Sequence, residues 1–344
     1  MNVIARPSLM LCLAASLAGV ALGTQYHGFL YNNGIFTTIN DPSGSNTNAY
    51  GINDAGQIVG SYLDIGGVSH GFVDVSGVFT TLDDPSGTNT VAYGINNAGQ
   101  IVGSYQDAGG ILHGFLDSGG IFVTIDDPLS GRDGTYAYGI NDAGQIVGSF
   151  RNASRQSEGF LDTGGTFTTV IDPLQFYGTV LFGINNGGQS TGIYQDASGI
   201  VHGFRYSEGI FAPIEYPAGV HTYAYGINSG GEIVGYWVTP FADGIHGFLD
   251  NGGVFTDLKD PLATGGQTLA HGINDSGLIV GSYIGDLVFP APEPSTFAMV
   301  LTAALLGWWL RSAVPTRRLA GCTPPRRPAL PFESMPGTSN LEIS

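Results

Sequence analysis

A motif of three residues, Gly-Ile-Asn, constrains the fold of this chain more than any other feature, because it recurs six times at a nearly constant interval. Its copies begin at Gly51, Gly94, Gly139, Gly183, Gly226 and Gly272, which are spaced 43, 45, 44, 43 and 46 residues apart. Self-similarity at a fixed period of about 40–45 residues is typical of repeat proteins, in which each copy is one supersecondary unit. The body of the chain is therefore predicted to be a single array of repeats.

Each copy of the repeat predicts four short strands. The first copy runs from Tyr-Gly-Ile-Asn through a tight turn at Asn53–Gly56 into Gln-Ile-Val-Gly-Ser-Tyr. His-Gly-Phe, a Val-Phe-Thr-Thr segment and an Asp-Pro turn follow. Short β-branched and aromatic runs separated by Asn, Asp and Gly form antiparallel hairpins, and the 55 glycines of the chain argue against helices. A four-stranded unit of this length predicts a propeller blade.

The two ends of the array contain complementary halves of one repeat. The array starts with the His27-Gly28-Phe29 half and finishes with the Gly272-Ile273-Asn274 half. Pairing of these halves would complete a sixth unit and close the ring, which removes exposed sheet edges, whereas an open solenoid would need polar caps. We predict an all-β, six-bladed β-propeller over residues 24–290, with a β-solenoid as the alternative.

The first 23 residues have the pattern of a secretory signal peptide. Arg6 gives a short positive region, the stretch Leu9–Leu22 is apolar, and small residues precede the junction of Gly23 and Thr24. The apolar stretch is too short for a membrane span. We predict a signal peptide over 1–23 that is cleaved between Gly23 and Thr24.

Three features follow one another near the C-terminus. Pro292-Glu293-Pro294 precedes an uncharged run, Ser295–Leu310, and three arginines come after it, namely Arg311, Arg317 and Arg318. An uncharged run of this length can cross a bilayer, and basic residues that follow it stay on the cytoplasmic side. The pattern predicts a transmembrane helix over 295–310, a body outside the cytoplasm, and a tail over 319–344 that is either cytoplasmic or artefactual.

The segment 291–318 resembles the PEP-CTERM sorting signal. That resemblance implies a protein exported by a Gram-negative bacterium and handled by an exosortase, a membrane sorting enzyme. The precursor would be anchored in the inner membrane and then sent to the cell surface or an exopolysaccharide matrix. The chain departs from the family pattern because residues 319–344 follow the arginines.

The repeats are similar to the extracellular HAF type. The resemblance rests on Gly-x-Asn-x-x-Gly-Gln-(Ile/Val)-Val-Gly and on His-(Ala/Gly)-Phe-Leu, with Gly in place of Ala in every copy here. It covers Tyr26–Tyr283 and implies an exported repeat protein, without a defined activity.

Charge and cysteine content limit the partners and the chemistry of the body. Between Thr24 and Pro290 the chain has 25 acidic and 5 basic residues, a net charge of −20. So acidic a surface repels nucleic acid and disfavours anionic membranes, and it leaves neutral sugars as candidate partners. The two cysteines, Cys12 and Cys322, both lie outside the body, so we expect no disulfide and no thiolate chemistry in it.

Two sets of aromatic residues recur with the repeat, and either could form a ring that stacks on sugar faces. The first set precedes the Gly-Ile-Asn motifs: Tyr50, Tyr93, Tyr138, Phe182 and Tyr225, with His271 in the sixth copy. The second set ends the next strand, and it supplies the candidate ligand-binding residues Tyr62, Tyr105, Tyr194, Tyr236 and Trp237. The alternative role of these side chains is packing between blades.

Histidines and turn carboxylates also recur. Five histidines hold equivalent positions, namely His27, His70, His113, His202 and His246. We predict that each bonds a neighbouring backbone carbonyl or the next turn rather than a metal. The paired acids Asp83, Asp84, Asp126 and Asp127 are candidate calcium ligands, with ordinary Asp-Pro turn chemistry as the alternative. Calcium is the one cofactor that the sequence leaves open.

Catalysis has little support in the sequence. A catalytic pair breaks repeat symmetry, and Glu158 with Arg151 and Arg155 does so, but we favour an isolated surface salt-bridge cluster as the explanation of these three residues. Motifs of serine hydrolases, zinc proteases and phosphate-binding loops are not found in the sequence. We predict an exported protein with a non-catalytic binding or structural role, with glycan as the candidate ligand. The alternative is a polysaccharide hydrolase or lyase built on a propeller.

Overall fold

The computed structural model describes residues 24–131, 133–239 and 244–286, and within these ranges it contains 24 strands. The predicted signal peptide, sorting signal, membrane helix and tail lie outside the described residues. Within the described ranges, no helix has the length and the apolar character needed to span a membrane.

The strands follow the chain in groups of four. The first two strands are β1 (Thr24–Asn32) and β2 (Ile35–Ile39). The first complete blade consists of β3 (Ser45–Ile52), β4 (Ile58–Leu63), β5 (Ser69–Val75) and β6 (Val78–Leu82). The second consists of β7 (Thr88–Ile95), β8 (Ile101–Gln106), β9 (Leu112–Asp117) and β10 (Phe122–Ile125).

The remaining blades repeat this order. The third blade consists of β11 (Thr135–Ile140), β12 (Gln145–Arg151), β13 (Ser157–Thr163) and β14 (Thr166–Val170). The fourth consists of β15 (Gly178–Ile184), β16 (Ser190–Gln195), β17 (Val201–Ser207) and β18 (Ile210–Ile214). The fifth consists of β19 (His221–Ile227), β20 (Ile233–Val238), β21 (Ile245–Asn251) and β22 (Val254–Leu258). A 3₁₀ turn, Thr264–Gly266, then precedes β23 (Thr268–Ile273) and β24 (Ile279–Asp286).

The two ends of the array pair to form the sixth blade. Its strand order is β2-β1-β24-β23, and β1 and β24 are antiparallel from Thr24↔Asp286 to Tyr31↔Ile279. The predicted six-bladed propeller, closed by its two half-repeats, is therefore confirmed. A single parallel pair, Ser157↔Gly178, links the third and fourth blades into one eight-stranded sheet.

Six apolar clusters fill the spaces between adjacent blades. Each contains a fully buried phenylalanine from the third strand of a blade, namely Phe29, Phe72, Phe115, Phe160, Phe204 or Phe248. Each also contains a small or apolar side chain from an inner strand, such as Ala49 beside Phe72. The His-Gly-Phe motif therefore supplies the core between blades, which explains its recurrence.

Candidate functional site

A closed ring of aromatic side chains surrounds the central channel. The inner strands are β3, β7, β11, β15, β19 and β23, and each has a β-bulge one residue before the glycine of Gly-Ile-Asn. A bulge inserts an unpaired residue and redirects its side chain. The bulged residues are Tyr50, Tyr93, Tyr138, Phe182, Tyr225 and His271. Each ring contacts the next around the whole circle, with centroids 4.2–5.4 Å apart.

The ring borders a cavity of about 440 Å³, a size typical of small-molecule sites. A layer of isoleucines from the Gly-Ile-Asn motifs lies on one side of the ring, which we call the lower side. Polar side chains, among them Gln25, Asn46 and Asn48, line the upper side. None of the described residues that line the cavity is an acid, a lysine or an arginine.

The cavity wall stays uncharged at neutral pH. Burial raises the pKa of Tyr50 to about 12, and it raises the pKa values of Tyr93 and Tyr138 well above their ordinary value. Burial lowers the pKa of His271 to about 4, against the effect of its hydrogen bond to the Ala49 carbonyl. The tyrosines are therefore protonated and His271 is neutral. A ligand in this cavity meets hydroxyls, amides and aromatic rings, and no ionic partner.

A circle of asparagine side chains surrounds the lower end of the channel. The Nδ2 of Asn53 donates to the carbonyl of Asn96 at 3.1 Å, and the same bond repeats from blade to blade until Asn274 donates to Asn53. The members of this circle are Asn53, Asn96, Asn141, Asn185, Asn228 and Asn274. All are at most 5% exposed. The asparagine of Gly-Ile-Asn is therefore a structural residue that ties adjacent blades together.

The candidate ligand-binding residues of the second aromatic set are buried within the blades. Tyr62, Tyr105, Tyr194, Tyr236 and Trp237 are each at most 8% exposed. The Tyr62 hydroxyl bonds to Thr81, and its ring stacks on His70, with a centroid distance of 5.3 Å. Of the five, Tyr236 alone is among the described residues lining the cavity. Their burial argues against a ring of exposed stacking surfaces, and the first aromatic set lines the channel instead.

Three of the repeated histidines lie between two carboxylates on the upper face. His70 Nδ1 is 2.9 Å from Asp83, and its Nε2 is 3.5 Å from Asp64. The same arrangement recurs at His113 with Asp126 and Asp107, and at His202 with Glu215 and Asp196. The expected structural role, a bond to a backbone carbonyl or to the next turn, is thus seen in its second form, with carboxylates of the neighbouring turns as the partners. Burial lowers the pKa of these imidazoles, but the carboxylates outweigh it and the pKa is raised.

These clusters should make the fold more stable at pH 6 than at pH 8. A histidine whose pKa is raised on folding stabilises the native state below its unfolded pKa of about 6.5, and this contribution disappears as the pH rises through the folded value. We expect the melting temperature of wild type to fall from pH 6 to pH 8. A triple His70→Gln, His113→Gln, His202→Gln variant should show a flatter profile.

His221→Gln is the control of opposite sign for that measurement. Burial lowers the pKa of His221, whose Nδ1 accepts the backbone N–H of Val201 at 3.0 Å. A histidine whose pKa is lowered on folding destabilises the native state at low pH, so this variant should show a fall in melting temperature from pH 6 to pH 8 at least as steep as that of wild type. Identical slopes in wild type and the triple variant would contradict the assignment of the pH dependence to these clusters.

The candidate calcium ligands are held by bonds within the chain. Asp83 and Asp126 pair with histidines, as described. Asp84 and Asp127 are 2% exposed, and each accepts the backbone N–H two residues ahead, at Ser86 and Leu129. These are turn contacts, and within the described ranges no group of three or more His, Cys, Asp or Glu is placed to hold a metal ion. Calcium binding stays a prediction.

The symmetry-breaking charges of the third blade do not form one cluster. Arg151 and Arg155 approach Asp133 at 3.5 and 3.7 Å, whereas the Glu158 carboxylate accepts a 2.6 Å bond from Asn152. Glu158 thus takes part in a separate polar contact.

Solved structures of β-propellers resemble this fold. A putative TolB from Agrobacterium tumefaciens has a TM-score of 0.54 and 14% identity, and the match covers 78% of this chain and 99% of that one. The fungal lectin of Aleuria aurantia, a six-bladed β-propeller that recognises fucose, has a TM-score of 0.43 and 13% identity, covering 71% and 96%. AofleA from Arthrobotrys oligospora has a TM-score of 0.48 and 13% identity, covering 77% and 84%.

These likenesses extend to the fold alone. No protein-family model matches the chain, and no curated protein matches it.

Proposed function

We propose that this chain is an exported, non-catalytic binding protein whose central cavity holds an uncharged sugar unit of an extracellular glycan. The observation that carries the proposal is the closed aromatic ring around a cavity that contains no ionic partner among its described lining residues. Sugars present apolar C–H faces and neutral hydroxyls, and such a cavity offers aromatic surface together with amide and hydroxyl groups.

The charge of the body supports a neutral ligand over an anionic one. With a net charge of −20, the body repels uronic acids and phosphates at a distance.

The proposal includes the route by which the protein reaches such a ligand. Cleavage after Gly23 removes the signal peptide, and the helix 295–310 keeps the precursor in the inner membrane. An exosortase then acts on Pro292–Pro294 and the following segment, and the product resides at the cell surface or in the matrix.

The first test is retention of the purified full-length protein by the producing cell's own extracellular polysaccharide in a co-sedimentation assay, with and without calcium. We expect retention without the appearance of reducing ends. Tyr138→Leu removes one member of the aromatic ring and should weaken retention by about tenfold, which corresponds to 1.4 kcal/mol. Its melting temperature is recorded to exclude unfolding.

The matched control is Phe176→Ala. Phe176 is an aromatic residue that is 55% exposed and is not among the described residues lining the cavity. It should leave retention unchanged. Loss of retention in the Phe176 variant alone would place the binding surface outside the channel, and release of reducing ends would favour the hydrolase or lyase alternative. Absence of retention with and without calcium would contradict the proposal.

A further inference from the structure

Repeat symmetry in the cavity wall is broken in three of the six blades. The bulged ring residue of each inner strand has a companion eleven residues later on the next strand. The pairs are Tyr50 with Ser61, Tyr93 with Ser104, Tyr138 with Ser149, Phe182 with Ile193, Tyr225 with Tyr236, and His271 with Ser282. In the first three blades the serine lies near the tyrosine hydroxyl and lowers its pKa, against the larger effect of burial. These hydroxyls are therefore already engaged by the protein.

The sixth blade leaves its serine without a partner. His271 turns its Nδ1 toward the carbonyl oxygen of Ala49, at 3.1 Å. Ser282 is 1% exposed and lines the cavity, and its Oγ has no hydrogen bond within the described structure. A buried hydroxyl without a partner destabilises the fold, because no hydrogen bond offsets its loss of hydration. Such a group persists at functional positions, where a ligand completes it.

The tautomer of His271 follows from its contact with Ala49. Because a carbonyl oxygen only accepts, Nδ1 carries the proton and donates, which leaves Nε2 as an unprotonated acceptor. The ring lies in the cavity wall between Tyr50 and Tyr225. Ser282 thus provides a hydroxyl that can donate or accept, and His271 provides a nitrogen acceptor. None of the other five pairs combines these two groups.

The fourth blade provides an apolar wall, and the fifth blade adds two aromatic rings beside it. Phe182 lacks a hydroxyl, its companion is Ile193, and both belong to an apolar cluster. The Phe182 and Tyr225 rings stack with centroids 4.2 Å apart and an interplanar angle of 19°. Tyr236 extends this stack beside Tyr225 at 5.6 Å. The polar pair and the aromatic stack therefore lie on neighbouring parts of one cavity.

We infer that His271 and Ser282 form the hydrogen-bonding subsite for a hydroxyl group of an uncharged pyranose, whose apolar face packs on the Phe182–Tyr225 stack. This inference rests on the proposed function and identifies the part of the cavity that recognises the ligand. A sugar hydroxyl donates to His271 Nε2 and accepts from Ser282 Oγ, so both groups are satisfied by one atom of the ligand.

The test is titration of the purified full-length protein with the methyl glycosides of glucose, galactose and mannose by calorimetry. Glucuronic acid and glucosamine serve as charged probes. Ser282→Ala should weaken the affinity for the neutral glycoside that binds best by about tenfold, without lowering the melting temperature, because it removes a hydroxyl that lacks a partner in the free protein.

Two further variants separate recognition from folding. Ser104→Ala is the matched control: it removes the contact with the Tyr93 hydroxyl and should lower the melting temperature with little effect on affinity. His271→Tyr restores the tyrosine–serine pair of the first three blades. It should raise the melting temperature or leave it unchanged while reducing binding below detection.

The outcomes distinguish this inference from the proposed function. Polysaccharide retention that depends on Tyr138 but is untouched by Ser282→Ala and His271→Tyr would overturn the subsite and leave the proposed function standing. Glucuronic acid or glucosamine binding as tightly as the neutral glycosides would overturn the uncharged ligand class. No glycoside binding together with no polysaccharide retention would overturn both.

Discussion

The Gly103→Ala variant is expected to lose about 3–5 kcal/mol of unfolding free energy. Gly103 lies on the second strand of the second blade, opposite Ala92 on the inner strand. A Cβ atom added there would overlap the carbonyl oxygen of Val91 and lie 2.6 Å from the ring of Phe115. Both neighbours are fixed, one by the backbone and the other by complete burial.

The size of this effect follows from the close packing of the blade. Overpacking by a single methyl group typically costs about 1–3 kcal/mol, and a clash with backbone adds to that because a strand must move. With a total stability of about 5–15 kcal/mol, the variant should unfold at a much lower urea concentration than wild type, as followed by circular dichroism.

Gly99→Ala is the matched control in the same blade. Gly99 has a φ of +77° in the turn before β8, and a Cβ atom there meets nothing within 4 Å. Its cost should be limited to left-handed strain, about 1–2 kcal/mol. A Gly103 variant that is no less stable than the Gly99 variant would contradict the explanation that Gly103 is required by close packing against Val91 and Phe115.

The Asn96→Ala variant is expected to lose about 3–5 kcal/mol of unfolding free energy. The Asn96 side chain donates to the Asn141 carbonyl at 3.1 Å and to Gln100 Oε1 at 2.9 Å. Its Oδ1 accepts the backbone N–H groups of Ala98 and Gln100. Truncation leaves several of these buried groups unsatisfied, at about 1–3 kcal/mol for each one that water cannot reach.

Asn97→Ala is the control for the asparagine circle. Asn97 bonds to Asp54 and Asp142 in the adjacent, exposed ring of turn residues, where water replaces lost bonds. It should lose about 1 kcal/mol or less. Equal losses of unfolding free energy in the two variants, measured by urea titration, would show that the buried circle contributes no more than the exposed ring.

The sequence patterns do not identify the hydrogen-bonding partners of the asparagine circle or of the repeated histidines. The sequence predicts that Asn53 starts a tight turn, which it does, because Gly56 donates to the Asn53 carbonyl within the turn. It does not predict that the side chain bonds to a residue 43 positions away. The histidine partners were missed similarly, since the acid that pairs with His70 lies 13 residues ahead, across a hairpin. Such pairs depend on register, which is set by tertiary packing.

The sequence also does not determine which of the two sets of aromatic residues lines the channel. Tyr50 and Tyr62 lie on neighbouring strands of one hairpin. The alternation of side chains along a strand does not show which of the two faces the channel. Tyr50 lines the channel because the bulge between Ala49 and Gly51 directs its side chain inward, whereas Tyr62 packs against the third strand. The sequence does contain one signal, His271, which is the one member of the first set with ring nitrogens and which distinguishes the sixth blade from the others.

The repeat, the four strands of each copy and the closure of the ring by two half-repeats could all be predicted from the amino-acid sequence. These features depend on local turn chemistry and on a constant period, both of which are properties of the chain alone. The tertiary structure decided which side chains face the channel, which carboxylates hold the histidines and why Ser282 is left without a partner. Those outcomes depend on bulges and on contacts between blades, where residues more than 40 positions apart in the chain meet.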